Sequence, residues 1–355
     1  MSAQEHERSV AAYEITVNGN RIPPEAEIDL IQLEIAEAVD EIGMFALSLN
    51  AGEQASGAVR WVDDSLFREG NELRIKLGYS APLSDMMVGD VTAVEPEFPA
   101  TGPITLTVRG YDRLHRLAHE RKTRSFKNMT DSDIASQIAQ ERGLTADVEA
   151  TRITHEYLLQ NNQTDMEFMQ ERAALLHYEL RVQGTQMLFR SPGESAGKAL
   201  TLTYGQNLVR FSPRISISTQ AGSVRVQGWS AKQKQAVTGQ ASSDDVSARM
   251  GGTQLGAGIL EQMAGSAAVA VVDAPPMSQE EADTSAKGRV QDAAFGYVTG
   301  DAACLGDPSM HAGTVVELLN LGQRFSGLYY VTSATHRLSP RGGYTTAFSF
   351  RRSAT

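Results

Sequence analysis

Tyr13-Glu14-Ile15-Thr16-Val17-Asn18-Gly19-Asn20 decides how this chain begins to fold: Tyr13, Ile15 and Val17 alternate with polar residues, and Asn18-Gly19-Asn20 is a turn signal. A period of two puts successive side chains on opposite faces, so the segment predicts a half-buried strand. The rhythm recurs in Ile31, Leu33 and Ile35, in Phe45, Leu47 and Leu49, in Leu73, Ile75 and Leu77, and over 88–94 and 104–108. Short strands at regular spacing, with Gly and Pro between them, predict a small antiparallel barrel or sandwich over residues 1–110.

The pattern changes after Tyr111. Thr130-Asp131-Ser132-Asp133 is a helix-capping signal, Ile134 and Ile138 share a face, and Gly143 is a natural stop. Thr164 and Glu167 form a second capping box ahead of Phe168, Met169, Leu175 and Leu176 at helical spacing. Residues 111–185 therefore predict an α/β insert. Strand patterns return over 186–235 as the first part of a second β-barrel, including 224–229. A Gly-, Ala-, Ser- and Gln-rich stretch at 236–277 predicts a flexible linker. Ser278 and Glu281 open a helix over 278–295, and 296–355 completes the second barrel, with turns at Leu321-Gly322, Ser326-Gly327 and Pro340-Arg341-Gly342-Gly343. The expected fold class is α+β, mainly β, with two barrel-like units. No residue-level self-similarity at a fixed period is visible, so the sequence leaves a repeat undecided.

Composition narrows the function classes. With 43 acidic and 32 basic residues the net charge is -11, a field that repels polyanions and argues against general nucleic-acid binding. Hydrophobic residues at 41% and charged residues at 21% describe an ordinary globular chain. The opening MSAQEHERSV lacks a signal-peptide pattern, and no stretch approaches the roughly 18 apolar residues of a membrane span, so synthesis in the cytoplasm and no direct membrane insertion are expected. Cys304 is the only cysteine, which excludes an intrachain disulfide and reads as an inert buried thiol.

Motifs of catalysis are weak. Gly193-Glu194-Ser195-Ala196-Gly197-Lys198-Ala199 has three residues between its glycines where a phosphate loop needs four, and Ala199 replaces the metal-binding hydroxyl, so a polar hairpin loop is expected. Ser195 and Lys198 have the Ser-x-x-Lys spacing without its companion motifs. His115 and His119 stand four apart, but Arg113 and Arg116 crowd them, and polar or core-edge histidines are the better reading. No catalytic, metal or cofactor site is expected. The densest charge runs through Arg109, Arg113, Arg116, Arg121, Lys122, Arg124 and Lys127; a solvated face and docking on an acidic partner surface both fit it.

Several of these stretches resemble one family. Val108 to Leu117 (VRGYDRLHRL), Lys122 to Phe126 (KTRSF), Met129 to Ala135 (MTDSDIA), Gln160 to Phe168 (QNNQTDMEF) and Val224 to Trp229 (VRVQGW) look like phage late control gene D proteins and the hub part of VgrG-type spike proteins. Gly306-Asp307-Pro308, His311-Ala312-Gly313, Arg324-Phe325-Ser326-Gly327, Tyr329-Tyr330-Val331, His336 and Tyr344-Thr345-Thr346 are similar to the baseplate hub of extracellular contractile injection systems, phage-tail-like particles. The resemblance implies two tube-protein-like β-barrels per chain, a homotrimer of six barrels, and a symmetry adaptor joining the hexameric inner tube to a trimeric spike among other baseplate subunits. Because the sequence ends soon after Phe350, a separate spike protein is expected. Localisation follows as part of an injection particle, released or cell-bound. Arg109, Arg113, Arg116, Arg121, Lys122, Arg124, Arg324 and Phe325 are the expected subunit-interface residues. A tail-associated cell-wall hydrolase and a monomeric binding module are the alternatives.

Overall fold

The computed structural model describes residues 10–53, 59–230, 232–265, 268–271, 276, 278–340 and 342–355. Alternation builds β1 (Ala12–Val17), β2 (Asn20–Arg21), helix α1 (Pro24–Asp29), β3 (Leu30–Ala38), β4 (Met44–Glu53), β5 (Glu72–Gly78), β6 (Ser84–Glu97) and β7 (Pro103–Asp112). An insert follows, with β8 (Arg121–Phe126), β9 (Met129–Thr130), α2 (Asp131–Glu141), β10 (Thr145–Val148), β11 (Thr154–His155), β12 (Leu158–Thr164), α3 (Asp165–Leu176), β13 (Glu179–Gln183) and β14 (Gln186–Arg190). The remainder holds β15 (Leu200–Thr203), β16 (Leu208–Ile215), β17 (Ser223–Ser230), β18 (Gln235–Ser242), α4 (Gly256–Ala264), β19 (Ala268–Val271), α5 (Gln279–Phe295), β20 (Val298–Leu305), β21 (Val315–Leu319), α6 (Gly322–Phe325), β22 (Gly327–Ser339) and β23 (Gly343–Arg352).

Thirteen strands share one sheet in the order β16-β20-β23-β22-β3-β4-β7-β6-β5-β1-β2, with β21 and β15 branching from β22. Apart from the short β2, it divides into β1-β5-β6-β7-β4-β3 and β15-β21-β22-β23-β20-β16. Numbered by chain position, both halves read first, fourth, fifth, sixth, third, second. The chain therefore carries one six-stranded topology twice, differing in that β1 meets β5 antiparallel whereas β15 meets β21 parallel.

Local irregularities repeat as well. Register shifts fall between Leu30 and Gln32 on β3 and between Leu208 and Arg210 on β16. They fall again between Val91 and Ala93 on β6 and between Val331 and Ser333 on β22. Val91 accepts from Gly70 N–H and donates to the Asn71 carbonyl, while Val331 accepts from Gly313 N–H and donates to the Thr314 carbonyl. A bulge re-aims a strand at a fixed place, so matched bulges mark equivalent positions.

The two expected barrels are thus open halves of one sheet, and the strand path through the described residues does not close. They join because β22 is long: residues from Gly327 to Tyr330 pair with β21, and those from Ser333 to Leu338 pair with β3. Ile15, Phe45, Leu47, Leu73 and Val108 centre one core, Tyr297, Val298, Tyr329 and Phe350 the other, and Leu117, Phe126, Ile134 and Phe168 that of the insert.

Four expectations change. β14 pairs with β13 and β10, so the insert extends past the boundary expected at 185. β17 leaves the second unit and forms a separate three-stranded sheet with β18 and β19. The stretch 236–277, expected as a flexible linker, includes most of β18 together with α4 and β19; Gly239 serves close packing there, since a Cβ on it would strike the Ala282 carbonyl of α5. The loop at 193–199 is a crossover between the insert's sheet and the large sheet, not a hairpin. Linker residues 266, 267, 272–275 and 277, the turn residue Arg341 and residues 1–9 lie outside the described residues.

Candidate assembly site

Most of the predicted interface cations find acidic partners within the chain. Arg109 on β7 meets Glu95 on β6 at 3.0 Å. Arg113 pairs with Glu72, and Arg116 forks onto both oxygens of Asp90 at 2.9 Å. His115 sits between Asp90 and His119, 2.9 Å from each. Burial pushes the Asp90 carboxyl up, but His115 and Arg116 outweigh it and hold it below its ordinary range. The two histidines are therefore packed into an ion network at the edge of the first unit. Among the described residues, no group of three or more His, Cys, Asp or Glu side chains is placed to hold a metal ion.

Asp165, at the first turn of α3, is fully buried and gathers four donors: Lys122, Arg124, Arg142 and Gln160. Burial opposes its ionisation, and these donors overcome it. A carboxylate at a helix N-terminus is also favoured by the helix dipole. Lys122 and Arg124 reach it because they alternate on β8, while Arg121 faces the other way to Glu167 at 2.6 Å. The sequence supplied the cations; it gave no register for the acids that meet them.

Arg324 and Phe325 lie on α6. Arg324 is exposed, and Phe325 packs edge-on against Phe211 of β16, 6.2 Å between centroids. That places them beside the free edge of the large sheet. The structure does not gather the eight predicted residues into one surface. Arg109 on β7 and Glu95 on β6 lie in the first half of the sheet, and Phe325 on α6 lies against β16 in the second.

The junction between the halves is the feature that sequence reasoning missed. Glu34 on β3 holds Arg337 on β22 at 2.8 Å, and Leu338 reaches into the first unit's core. Glu37 accepts from His311 at 2.9 Å and from Ala312 N–H at 2.8 Å. Burial raises its carboxyl, and His311 more than reverses that. His336 is buried against Tyr344, Thr346 and the Met310 carbonyl, and desolvation pushes its imidazole down to about 4. Asp112, accepting from Gly43 and Leu114 N–H, is driven up to about 7 by burial. The signal available in sequence was the pair of matched segments Val91-Thr92-Ala93 and Val331-Thr332-Ser333, each ahead of a Gly-containing turn. It is too short to find without the bulges.

The residues weighed for chemistry have structural partners. Glu194 accepts from Gln291 at 3.1 Å and Arg351 at 2.9 Å, and Lys198 meets Glu317 at 2.5 Å. Cys304 is buried, which pushes its thiol up to about 12. A cleft of about 650 Å³ opens between β6, β13 and the 311–314 loop, lined by Arg74, Asp85, Arg181 and His311.

This duplicated sheet with its insert is a fold seen in tail proteins. The 43 kDa tail protein of prophage MuSo2 from Shewanella oneidensis superposes with a TM-score of 0.72 at 13% identity, covering 96% of this chain and 98% of that one. A tail protein from Neisseria meningitidis MC58 gives 0.70 at 12% identity, covering 97% of each. The E. coli c3393 protein, a component of the type VI secretion system similar to T4 tail proteins gp27 and gp5, gives 0.59 at 11% identity, covering 96% of this chain and 76% of that one. No curated protein sequence matches significantly. The chain belongs to the Alg8 N-terminal domain family, whose pattern matches residues 7–340.

Proposed function

We propose that this chain is a structural hub at the tip of a contractile injection machine, a homotrimer that joins a hexameric inner tube to a trimeric spike. One observation carries it: a single six-stranded topology occurs twice in the chain. Three chains then offer six similar units to a sixfold partner while retaining threefold symmetry for the other. Tube-protein-like behaviour of each half, and a separate spike protein, belong to the same reading. The names of the tail proteins and of the type VI secretion component that share the fold support a tail-structural role. No residue is assigned to catalysis.

The test is native mass, alone and with the cognate tube and spike proteins. The expected species is near three times 38.4 kDa and binds both. A persistent monomer that ignores both partners overturns the hub and favours a monomeric binding module. Peptidoglycan cleavage by the pure protein would instead favour the wall hydrolase.

A further inference from the structure

The insert's hairpin leaves one strand edge unpaired. Gly184 and Thr185 join β13 to β14 in a two-residue turn, so Gln183 and Gln186 exchange both backbone hydrogen bonds, and alternation turns Arg181 and Glu179 toward β14 as well. Leu180 and Val182 therefore aim their N–H and C=O groups the other way, where no strand lies among the described residues. The Asp40 carboxylate agrees with this parity, accepting from Leu180 N–H at 2.8 Å. The outward groups of Val182 have no partner among the described residues. In the same cleft β7 ends with Asp112 opposite Gly89, so residues 85–88 of β6 also lack a strand on that side among the described residues.

Both edges line the cleft of about 650 Å³ beside the 311–314 loop, a volume that holds a small ligand or a few residues of chain. One end is stopped by Asp40, whose carbonyl accepts from Gln170 at 2.6 Å; the other lies at the hairpin tip, where Gln183 is exposed. The charges of the lining are mostly met. His311 holds Glu37, Arg74 faces Asp85 at 3.6 Å, Arg190 faces Asp147 at 3.3 Å, and Asp112 accepts from two N–H groups. Glu41 is exposed to water. Arg181 lines the cleft with no ion-pair partner among the described residues: one Nη donates to the Ala312 carbonyl, and the guanidinium lies over Gly313, where a Cβ would strike it. Gly313, at φ +80°, thus makes room for a guanidinium whose remaining donors are unused.

We propose that this cleft receives the extended C-terminal end of a partner polypeptide, added antiparallel to β13 with its terminal carboxylate on Arg181. Main-chain pairing at a sheet edge supplies affinity without demanding one sequence, and a cation at the closed end selects a chain end. The direction follows from the shape. A strand antiparallel to β13 runs from the hairpin tip toward Asp40, so its C-terminus enters first and stops where Asp40 already occupies Leu180 N–H. Its penultimate residue then exchanges two bonds with Val182, and its last residue lies opposite Arg181. A strand in the parallel sense would bring an ammonium group to the same cation. Asp40 repels the incoming carboxylate, but Leu180 N–H engages one of its oxygens, and the charge-assisted bonds of the Arg181 fork outweigh the repulsion. The inference goes beyond the hub reading and does not depend on it.

The test adds to the full chain a fluorescein-labelled peptide, Gly-Ser-Thr-Thr-Thr-Val-Thr, with either a free C-terminal carboxylate or a C-terminal amide. Its final Thr-Val-Thr would lie opposite Gln183, Val182 and Arg181 in turn. Fluorescence polarisation is expected to show the acid binding at least about tenfold more tightly than the amide, the scale of a charge-assisted pair. Arg181→Gln should remove that difference, and Arg181→Lys should restore part of it. Hydrogen exchange at the Val182 amide should slow when the acid form is bound. The acid-against-amide comparison and the exchange measurement need no variant, so the proposal stays testable where Arg181→Gln does not fold. Equal affinity for the two peptides, or no protection of Val182, overturns it. Native mass, alone and with tube and spike proteins, tests the hub separately, so the failure of either reading leaves the other standing.

Discussion

At the residue scale, the two halves use the same cross-strand pair in opposite senses. Phe45 on β4 faces Gly110 on β7, and in the second half Gly300 on β20 faces Phe350 on β23. A ring lying over a glycine fills space that a Cβ would claim, so each pair must contain one of each. A Cβ on Gly110 would overlap both the Phe45 ring and the Asp90 carbonyl. Gly110→Ala is expected to destabilise by about 3 kcal/mol, the scale of an overpacked core. Urea unfolding measures it, and Phe45→Leu in the same background should recover part of the loss because the backbone clash persists. An Ala variant as stable as the parent would contradict this packing. Ile31 and Val209, the extra residues at the matched bulges, show the same logic: both are exposed because a bulge turns its residue out of the ladder.

At the scale of elements, ion networks fasten helices to sheets. His155 on β11 stands between Asp131 at the start of α2, 2.9 Å away, and Glu281 in the first turn of α5, 3.2 Å away. Hydrogen bonds to Asp131 and Glu281 raise its imidazole to about 9. A histidine raised in this way contributes stability that is full below its unfolded value of about 6.5 and is lost as pH rises through 9. The thermal midpoint should therefore fall between pH 6.5 and 9 by the equivalent of about 2 kcal/mol from this group. His155→Gln should flatten that slope, leaving the share from His177, which Asp292 and Glu194 raise to about 9 against the opposing pull of burial. A variant with the parent's slope would show that His155 is not held charged. The capping boxes at Thr130, Thr164 and Ser278 were legible in the sequence because a cap is a local pattern. The partners of Lys122 and Arg124 were not: Asp165 lies about forty residues away and its approach depends on the β8–β12 register.

At the scale of the whole molecule, the two halves of the sheet are joined where β22 pairs with β3. Glu34–Arg337 lies exposed on that junction, so Arg337→Ala is expected to lower stability by no more than about 1 kcal/mol. Urea unfolding checks this, and a larger loss would show that the pair does more than a surface contact. The sequence by itself determined the mainly β class, the strand rhythm and the helix starts at the Thr130, Thr164 and Ser278 caps, because period, turn chemistry and capping act over a few residues. It also pointed to the tail-hub resemblance through short motifs. Only the tertiary structure decided that the two β units are halves of one sheet, that β17 and β18 leave it for α5, and that the duplication is a matter of strand order and bulge position. The physical reason is that strand pairing depends on residues far apart along the chain. Equivalent strands need only the right alternation and length, so Phe45–Gly110 and Gly300–Phe350 do one job with their residues exchanged.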